Sequence, residues 1–256
     1  MNYKKYIINF DDPNSDNKAI PFKNISHTTH LPQAQAIVDS ETIYPRWTNE
    51  PELAGEEVIW FGANPWVNGS QYGCVNFEFD INDIVEKKIF YWISPKTEYK
   101  NTLCKIFVTN KSLDLPKYDP CKENGPWVIR EGGNFYNMKY PLAFLYNDSL
   151  YLHSSKGISF TEHHRKHCIR GDKDCPEKKW DKFKAASYFA YWLVSRDLAH
   201  KPYLKLTQKE ESETLATEDL NSAFLRGQRD IQENVKKYCS FEPPIDTTLF
   251  AKSIIA

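Results

Sequence analysis

The sequence predicts an α+β fold with central mixed or antiparallel β-sheets and C-terminal helices. Aromatic residues make up 14% of the chain, and they cluster with β-branched residues in short runs typical of strands. These runs fill the middle of the chain, whereas the last third carries apolar residues at helical spacing. No repeat or low-complexity linker divides the 256 residues, so we expect one domain over 1–256, helical from about 180 to 240.

The first predicted elements are a strand and a helix. Phe22–His30 has the composition of a short strand with polar ends. Pro32 suits the first turn of a helix, and Gln33–Ser40 follows with Ala34, Ile37 and Val38 on one face.

The middle of the chain predicts a series of strands. Cys74–Phe79 alternates apolar with polar residues, as a half-buried strand does. Asn147-Asp148-Ser149 predicts a tight turn that joins two strands, Leu142–Tyr146 and Leu150–His153, in a hairpin. The other predicted strands are Val58–Phe61, Ile89–Ile93, Cys104–Val108 and Gly157–Phe160.

Two helices are predicted in the last third. Trp180–Leu198 has a strong apolar face and ends before Pro202. Glu218–Tyr238 predicts a second helix, which Thr217 is suited to cap.

Composition and missing motifs exclude several classes of function. A net charge of −1 excludes a uniformly basic nucleic-acid coat. The chain has no P-loop, no Gly-x-Gly-x-x-Gly after a strand and no Gly-x-Ser-x-Gly elbow, which argues against P-loop nucleotidases, Rossmann dehydrogenases and α/β-hydrolases. We expect no membrane association, because no apolar run is long enough to span a bilayer. The N-terminus lacks a signal-peptide core, so a cytoplasmic location with six reduced cysteines is expected.

The first motif with chemical potential is His27-Thr28-Thr29-His30, at a strand end before a helix. An imidazole followed by small hydroxyl residues is suited to holding a ribose. Two unrelated surface histidines would give the same pattern.

An aromatic, amide-rich loop runs from Gly62 to Gly73. Asn64, Trp66 and Tyr72 offer ring faces and directed hydrogen bonds, which suit a nucleotide-like ligand. The alternative is a hairpin connection in which Trp66 covers the core.

Glu162 follows the last predicted strand. A carboxylate there could reach back across a sheet to the histidine motif, and it could stabilise an oxocarbenium-like transition state. The alternative is an exposed glutamate at a strand end.

Zinc-type ligands overlap this position. If the segment is helical, His164 shares a face with Cys168, and His163 shares the next face with His167. The spacing matches no established zinc motif, and a basic, solvated turn that contacts a polyanion is the other interpretation. The candidate metal ligands are His163, His164, His167, Cys168 and Cys175.

In chain order these motifs resemble those of ADP-ribosyltransferases, most of all bacterial toxin-type members such as the DarT-like group, which modify nucleic acid. Ile25–Tyr44 is similar to the family's opening strand with His-x-Thr before a helix, and Val58–Pro65 is similar to its strand and Asn-Pro segment. The resemblance extends over Ile25–Glu162. The chain lacks the Gln/Glu-x-Glu pair of arginine-directed transferases, which leaves a nucleobase or another residue as acceptor.

The resemblance implies mono-ADP-ribosyl transfer from NAD to a macromolecule, with nucleic acid favoured over protein. It also implies a toxin or phage-defence effector that is restrained by an antitoxin or regulatory protein. The central aromatic residue that stacks on nicotinamide would be Tyr72, although Tyr44 and Tyr91 also qualify. The implied catalytic residues are Glu162 and His27, and the implied NAD-binding residues are His27, Thr28, Thr29, Arg46, Asn64 and Tyr72.

Two other functions stay open at this point. The histidine and cysteine cluster from His163 to Cys175 is compatible with a zinc-dependent hydrolase or nuclease. The aromatic loop is compatible with a non-catalytic binding module.

Overall fold

The computed structural model describes residues 20–63, 69–86, 88–94, 103–122, 127–130, 134–137, 142–171, 175–180, 182–198, 201 and 204. Strands predominate over helices in this part of the chain, which confirms the predicted mixture of α and β structure. The elements are β1 (Ile20–Phe22), β2 (Asn24–Thr29), α1 (Leu31–Ser40), β3 (Thr42–Ile43), β4 (Arg46–Trp47), β5 (Glu57–Gly62), β6 (Val75–Asp80), α2 (Asn82–Val85), β7 (Ile89–Ser94), β8 (Cys104–Thr109), β9 (Trp127–Arg130), β10 (Asn134–Asn137), β11 (Leu142–Tyr146), β12 (Leu150–Tyr151), β13 (Gly157–Phe160) and α3 (Lys182–Ser195).

The chain divides into two compact units. Unit 1 comprises the described residues of Met1–His27, Thr42–Pro65 and Phe79–Ser154. Unit 2 comprises those of Thr28–Glu41, Trp66–Glu78 and Ser155–Ala256. The division falls inside β2 and inside β6, so each of these strands contributes residues to both units. A single domain over 1–256 stays a prediction.

Unit 1 is built on a mixed sheet. Within it, β5 pairs antiparallel with β11, which pairs parallel with β8, which in turn pairs antiparallel with β7. The unit 1 part of β2 and the short β4 both pair antiparallel with β5. A separate antiparallel sheet has the order β1-β10-β9.

Apolar side chains cover both faces of β11 in unit 1. Leu145 packs in a buried cluster with Val58, Tyr91 and other core residues on one face. The adjacent residue, Phe144, points to the opposite face, as strand alternation requires. There its ring lies 5.1 Å from that of Trp127 on β9. Burial on both faces explains why β11 is apolar along its whole length.

The predicted hairpin at residues 147–149 is wrong. Both edges of β11 are already paired, with β5 and with β8. The strand that follows, β12, pairs instead with β3. The chain bends at Asp148, but strands from elsewhere in the sequence occupy both neighbouring edges of β11.

Unit 2 contains β13, the unit 2 part of β6, and the helices α1 and α3. The two strands pair antiparallel, with Phe160 opposite Val75. Helix α3 packs on β13, where the Phe189 ring lies 6.0 Å from the Phe160 ring. Helix α1 contacts α3. On its predicted apolar face Ala34 and Val38 are buried, and Ile37 is half-buried.

Most of the other predicted elements are confirmed. Seven predicted strands correspond to β2, β5, β6, β7, β8, β11 and β13, and two of the three predicted helices correspond to α1 and α3. The predicted helix Glu218–Tyr238 lies outside the described residues. Among the described residues, no helix has both the length and the apolar character needed to cross a bilayer.

Candidate functional site

Four zinc-type ligands converge within unit 2. His30, His163, Cys168 and Cys175 each offer one ligand atom, and these atoms all lie within 4.8 Å of one another. His30 directly precedes α1, and the other three follow β13. Both histidines are buried, and both cysteines are partly buried.

The distances between these atoms are short. The Nε2 atom of His30 lies 3.3 Å from Nε2 of His163 and 3.2 Å from Sγ of Cys168. The Sγ atom of Cys175 lies 3.5 Å from Nε2 of His163. The four side chains therefore point at a common centre.

Backbone hydrogen bonds to the 70–71 segment hold the ligand-bearing residues in place. The Ser70 N–H donates to the Glu162 carbonyl at 2.8 Å, and the His164 N–H donates to the Ser70 carbonyl at 2.9 Å. His163 lies between these two bonds. The Ile169 N–H donates to the carbonyl of Gln71 at 3.0 Å, which fixes the residue next to Cys168. The site is thus positioned by main-chain contacts as well as by its own side chains.

Hydrogen bonds also orient the ligand atoms. The Nδ1–H of His163 donates to the carbonyl of His164 at 2.9 Å, so the lone pair of this imidazole is on Nε2, which faces the cluster. The backbone N–H of Arg170 donates to Sγ of Cys168 at 3.4 Å, a contact that stabilises a thiolate.

Burial keeps the two imidazoles neutral. The pKa of His30 is lowered to about 3, chiefly by burial and also by the charges of Arg170 and His163. Burial also lowers the pKa of His163. Burial and a hydrogen bond with Cys168 raise the pKa of the Cys175 thiol to about 11. A cation at the centre would reverse the effect on the thiol, since a metal ion favours the thiolate.

Glu177 joins the cluster to the start of α1. Its Oε1 atom accepts a hydrogen bond from the Leu31 N–H at 2.9 Å and so caps the helix directly after His30. Burial raises the pKa of this carboxyl group to about 7. Burial of the neighbouring Cys74, together with the nearby Glu177, raises the pKa of the Cys74 thiol. The carboxylate therefore supports the segment that carries His30.

A second polar group in unit 2 is a buried network on β6 and β13. The Thr28 hydroxyl donates to Asn76 at 2.7 Å, and the Asn76 amide donates to Ser159 at 3.2 Å. The Ser159 hydroxyl donates to the Glu78 carboxylate at 2.6 Å. Asn76 and Glu78 are buried, so the polar face of β6 is not the solvent-facing side that its alternation predicts.

The structure places the two residues implied as catalytic in different units. His27 belongs to unit 1, where its Nδ1–H donates to the carbonyl of Trp60 at 3.0 Å. Burial lowers its pKa and outweighs this hydrogen bond, which acts in the opposite direction. Glu162 belongs to unit 2, where its side chain is exposed and its carbonyl accepts the bond from Ser70.

The residues implied for NAD binding are distributed over the chain. Thr29 is buried in unit 2, and Tyr72, in the same unit, is half-buried with its N–H bonded to the Ser70 hydroxyl. Arg46 is exposed on β4 in unit 1, and Asn64 lies outside the described residues.

The other two aromatic candidates differ in exposure. Tyr91 is fully buried, and its hydroxyl accepts a bond from the Leu113 N–H, so its ring belongs to the core of unit 1. Tyr44 is 50% exposed.

The predicted metal ligands separate into two groups. His163, Cys168 and Cys175 join the cluster, whereas His164 and His167 stack on each other with ring centroids 5.0 Å apart. The segment from 161 to 170 forms bends and turns, so the shared helical faces are not present.

His30 was missed as a ligand, since it lies 133 positions before His163. The only signal for it was indirect. The histidines and cysteines from 163 to 175 matched no complete zinc motif, which left room for a ligand from elsewhere in the chain. His30 ends the predicted strand before the first helix.

Comparisons of the chain with protein families, with curated proteins and with solved structures found no match.

Proposed function

We propose that this chain is an NAD-dependent mono-ADP-ribosyltransferase that passes ADP-ribose to a macromolecule, with nucleic acid as the favoured acceptor. One observation in unit 2 carries the proposal. The end of β2 and the segment after β13 meet, with the His30 and His163 Nε2 atoms 3.3 Å apart. These residues directly adjoin Thr28-Thr29 and Glu162, two of the motifs that such an enzyme needs in one place.

The chemistry breaks the bond between nicotinamide and ribose. Nicotinamide leaves as a neutral ring, positive charge develops on the ribose carbon and ring oxygen, and a nucleophile of the acceptor attacks that carbon and loses a proton. In the proposal the Glu162 carboxylate holds the ribose 2′-hydroxyl and stabilises the developing charge. An exposed carboxylate is accessible to such a substrate, and the exposure of Glu162 is consistent with this role.

His27 holds a ribose in this proposal. Its Nδ1–H is used by the carbonyl of Trp60, and its pKa is lowered, so the neutral ring keeps a lone pair on Nε2. That nitrogen is suited to accept a hydrogen bond from a sugar hydroxyl. Tyr72 is the proposed partner for the nicotinamide ring.

The test is transfer of label from NAD by the purified full-length chain. The chain is incubated with NAD labelled in the ADP-ribose part and with separate RNA, DNA and protein fractions. Nicotinamide release and acceptor labelling are both measured. We expect labelled nucleic acid, and a loss of about 100-fold or more in the Glu162→Gln variant. Glu52→Gln, which changes another exposed glutamate, is the matched control and should keep full activity.

Two results would reject the proposal. One is wild-type turnover in Glu162→Gln, and the other is the absence of nicotinamide release with every fraction. Binding of a nucleic acid without NAD turnover would instead favour the non-catalytic binding module.

The zinc hydrolase is less well supported by the geometry. A catalytic zinc site usually has three protein ligands and an open position for water. The cluster in unit 2 offers four protein ligands, which leaves no such position.

An unrestrained transferase of this kind would damage the cell that produces it. The proposal therefore includes an antitoxin or regulatory protein as partner, on the strength of the family resemblance alone.

A further inference from the structure

We infer that His30, His163, Cys168 and Cys175 form a structural zinc site that fastens the start of α1 to the segment after β13. The inference concerns unit 2 alone and does not depend on the proposed transferase activity. Its basis is the convergence of four ligand atoms within 4.8 Å, from positions as much as 145 residues apart.

Three of the six separations between the ligand atoms match those of a tetrahedral zinc site. Zinc binds nitrogen at about 2.0–2.1 Å and sulfur at about 2.3 Å, so tetrahedral angles place two nitrogens about 3.3 Å apart and a nitrogen and a sulfur about 3.5 Å apart. The two Nε2 atoms here are 3.3 Å apart, and the nitrogen–sulfur distances are 3.2 and 3.5 Å. The other three separations are at most 4.8 Å, so small side-chain movements are enough to bind the ion.

The hydrogen bonds around the cluster are better explained by a metal-bound cluster than by a metal-free one. The bond from Nδ1–H of His163 to the His164 carbonyl directs the lone pair of Nε2 inward. A metal-bound imidazole usually donates its other ring N–H to a carbonyl group in this way. In a metal-free cluster, His30 and Cys175 would both compete for that single lone pair, since both lie within hydrogen-bond range of His163 Nε2.

Charge and ligand number identify the ion and its role. Two thiolates neutralise a divalent cation, and two neutral imidazoles complete a site of zero net charge, so no net charge is buried. Two sulfur and two nitrogen ligands in a tetrahedron favour zinc over magnesium, calcium or manganese. Binding releases the two thiol protons to solvent and oxidises nothing. Four protein ligands make the site structural.

The alternative is a disulfide between Cys168 and Cys175. It would need their sulfur atoms about 2.05 Å apart, and it would leave His30 and His163 without a role. In the structure both cysteines are thiols.

The experiment uses the full-length chain purified without chelator. Zinc is measured by mass spectrometry, and free thiols are counted after denaturation. The protein is then reloaded with cobalt(II), because a tetrahedral cobalt site with thiolate ligands has strong visible absorption and a sulfur-to-cobalt charge-transfer band. We expect one zinc per chain and a spectrum typical of two sulfur and two nitrogen ligands.

Two pairs of variants test the ligands. Cys175→Ser should lower the zinc content at least tenfold, whereas Cys121→Ser, at an exposed cysteine, should leave it unchanged. His30→Asn should also lose zinc, whereas His167→Asn should keep it, because His167 lies outside the cluster.

A ligand exchange separates loss of a ligand from loss of the fold. His30→Cys supplies a third thiolate, so the variant should still bind cobalt, with a charge-transfer band about 1.5-fold stronger. The inference is overturned if the wild-type chain contains no zinc and gives no tetrahedral cobalt spectrum. A disulfide between Cys168 and Cys175, or equal loss of zinc in the control variants, would also overturn it.

Discussion

Replacing Gly73 with alanine tests how the end of β2 is held in unit 2. Gly73 has φ +132°, a conformation that residues with a side chain rarely adopt. A Cβ atom built on it would lie 2.2 Å from the carbonyl carbon and oxygen of Thr29 and 2.3 Å from the nitrogen of His30. All three are main-chain atoms, so no side-chain rotation can relieve the overlap.

The size of the effect follows from these distances. Ordinary contact begins at about 3.4 Å, so the two backbones must separate by about 1 Å. Strain at this φ costs about 1–3 kcal/mol, and forcing packed groups apart costs about 1–3 kcal/mol more. We therefore expect Gly73→Ala to lower the free energy of unfolding by about 2–6 kcal/mol. The same shift exceeds the tolerance of about 0.2 Å for metal–ligand distances, so zinc affinity should fall at least tenfold.

The assay is urea denaturation followed by circular dichroism, together with competition for zinc against a chromogenic chelator. Gly55→Ala is the matched control. Gly55 also has a positive φ, +87°, but a Cβ there would meet nothing within 4 Å. Its substitution should cost only the backbone strain, about 1–2 kcal/mol. Equal destabilisation by the two substitutions, or unchanged zinc affinity in Gly73→Ala, would refute the reasoning.

Three further substitutions test other parts of the described structure. Burial holds the pKa of His27 in the folded chain below its ordinary 6.5, so the unfolded chain binds more protons below that pH. The stability that His27 supplies is therefore full above pH 6.5 and falls as the pH drops towards the folded pKa. His27→Gln should flatten this dependence in urea titrations at about pH 5 and about pH 7.5. Ser159→Ala removes the hydroxyl that donates to the buried Glu78 carboxylate and should cost about 1–3 kcal/mol in the same assay. Tyr118→Phe removes a buried bond to the carbonyl of Trp127 and should cost about 1–3 kcal/mol, since that carbonyl loses a partner.

Each of these has a control of the same residue type at an exposed position. The controls are His153→Gln, Ser112→Ala and Tyr151→Phe. Each should change stability by no more than about 0.5 kcal/mol. If His153→Gln flattens the pH dependence as much as His27→Gln does, burial of His27 is not its cause. A Ser159 or Tyr118 variant as stable as its control would argue against the corresponding hydrogen bond.

The local sequence pattern was sufficient for most individual elements. The alternation in Cys74–Phe79 and the apolar spacing in Trp180–Leu198 are local properties of the chain, and they predicted the strand β6 and the helix α3 correctly. The hairpin after β11 was predicted wrongly because a turn signal shows only that the chain reverses. It does not reveal which strands already occupy the edges of the sheet.

The candidate metal site was only partly visible in the sequence. Three of its ligands lie between residues 163 and 175, where the density of histidine and cysteine was apparent. Two further histidines in that segment, His164 and His167, could not be distinguished from ligands by composition. His30 could not be connected to the others, since nothing in a linear sequence pairs residues 133 positions apart.

The sequence by itself determined the residue types available for chemistry and the local conformation of most strands and helices, because side-chain periodicity and backbone preference act over a few neighbouring residues. Only the tertiary structure decided which strands pair, that Asn76 and Glu78 are buried, and that His30 meets His163, Cys168 and Cys175. The physical reason is that strand pairing and ligand convergence depend on contacts between distant segments, whose free energy arises only when the chain has folded.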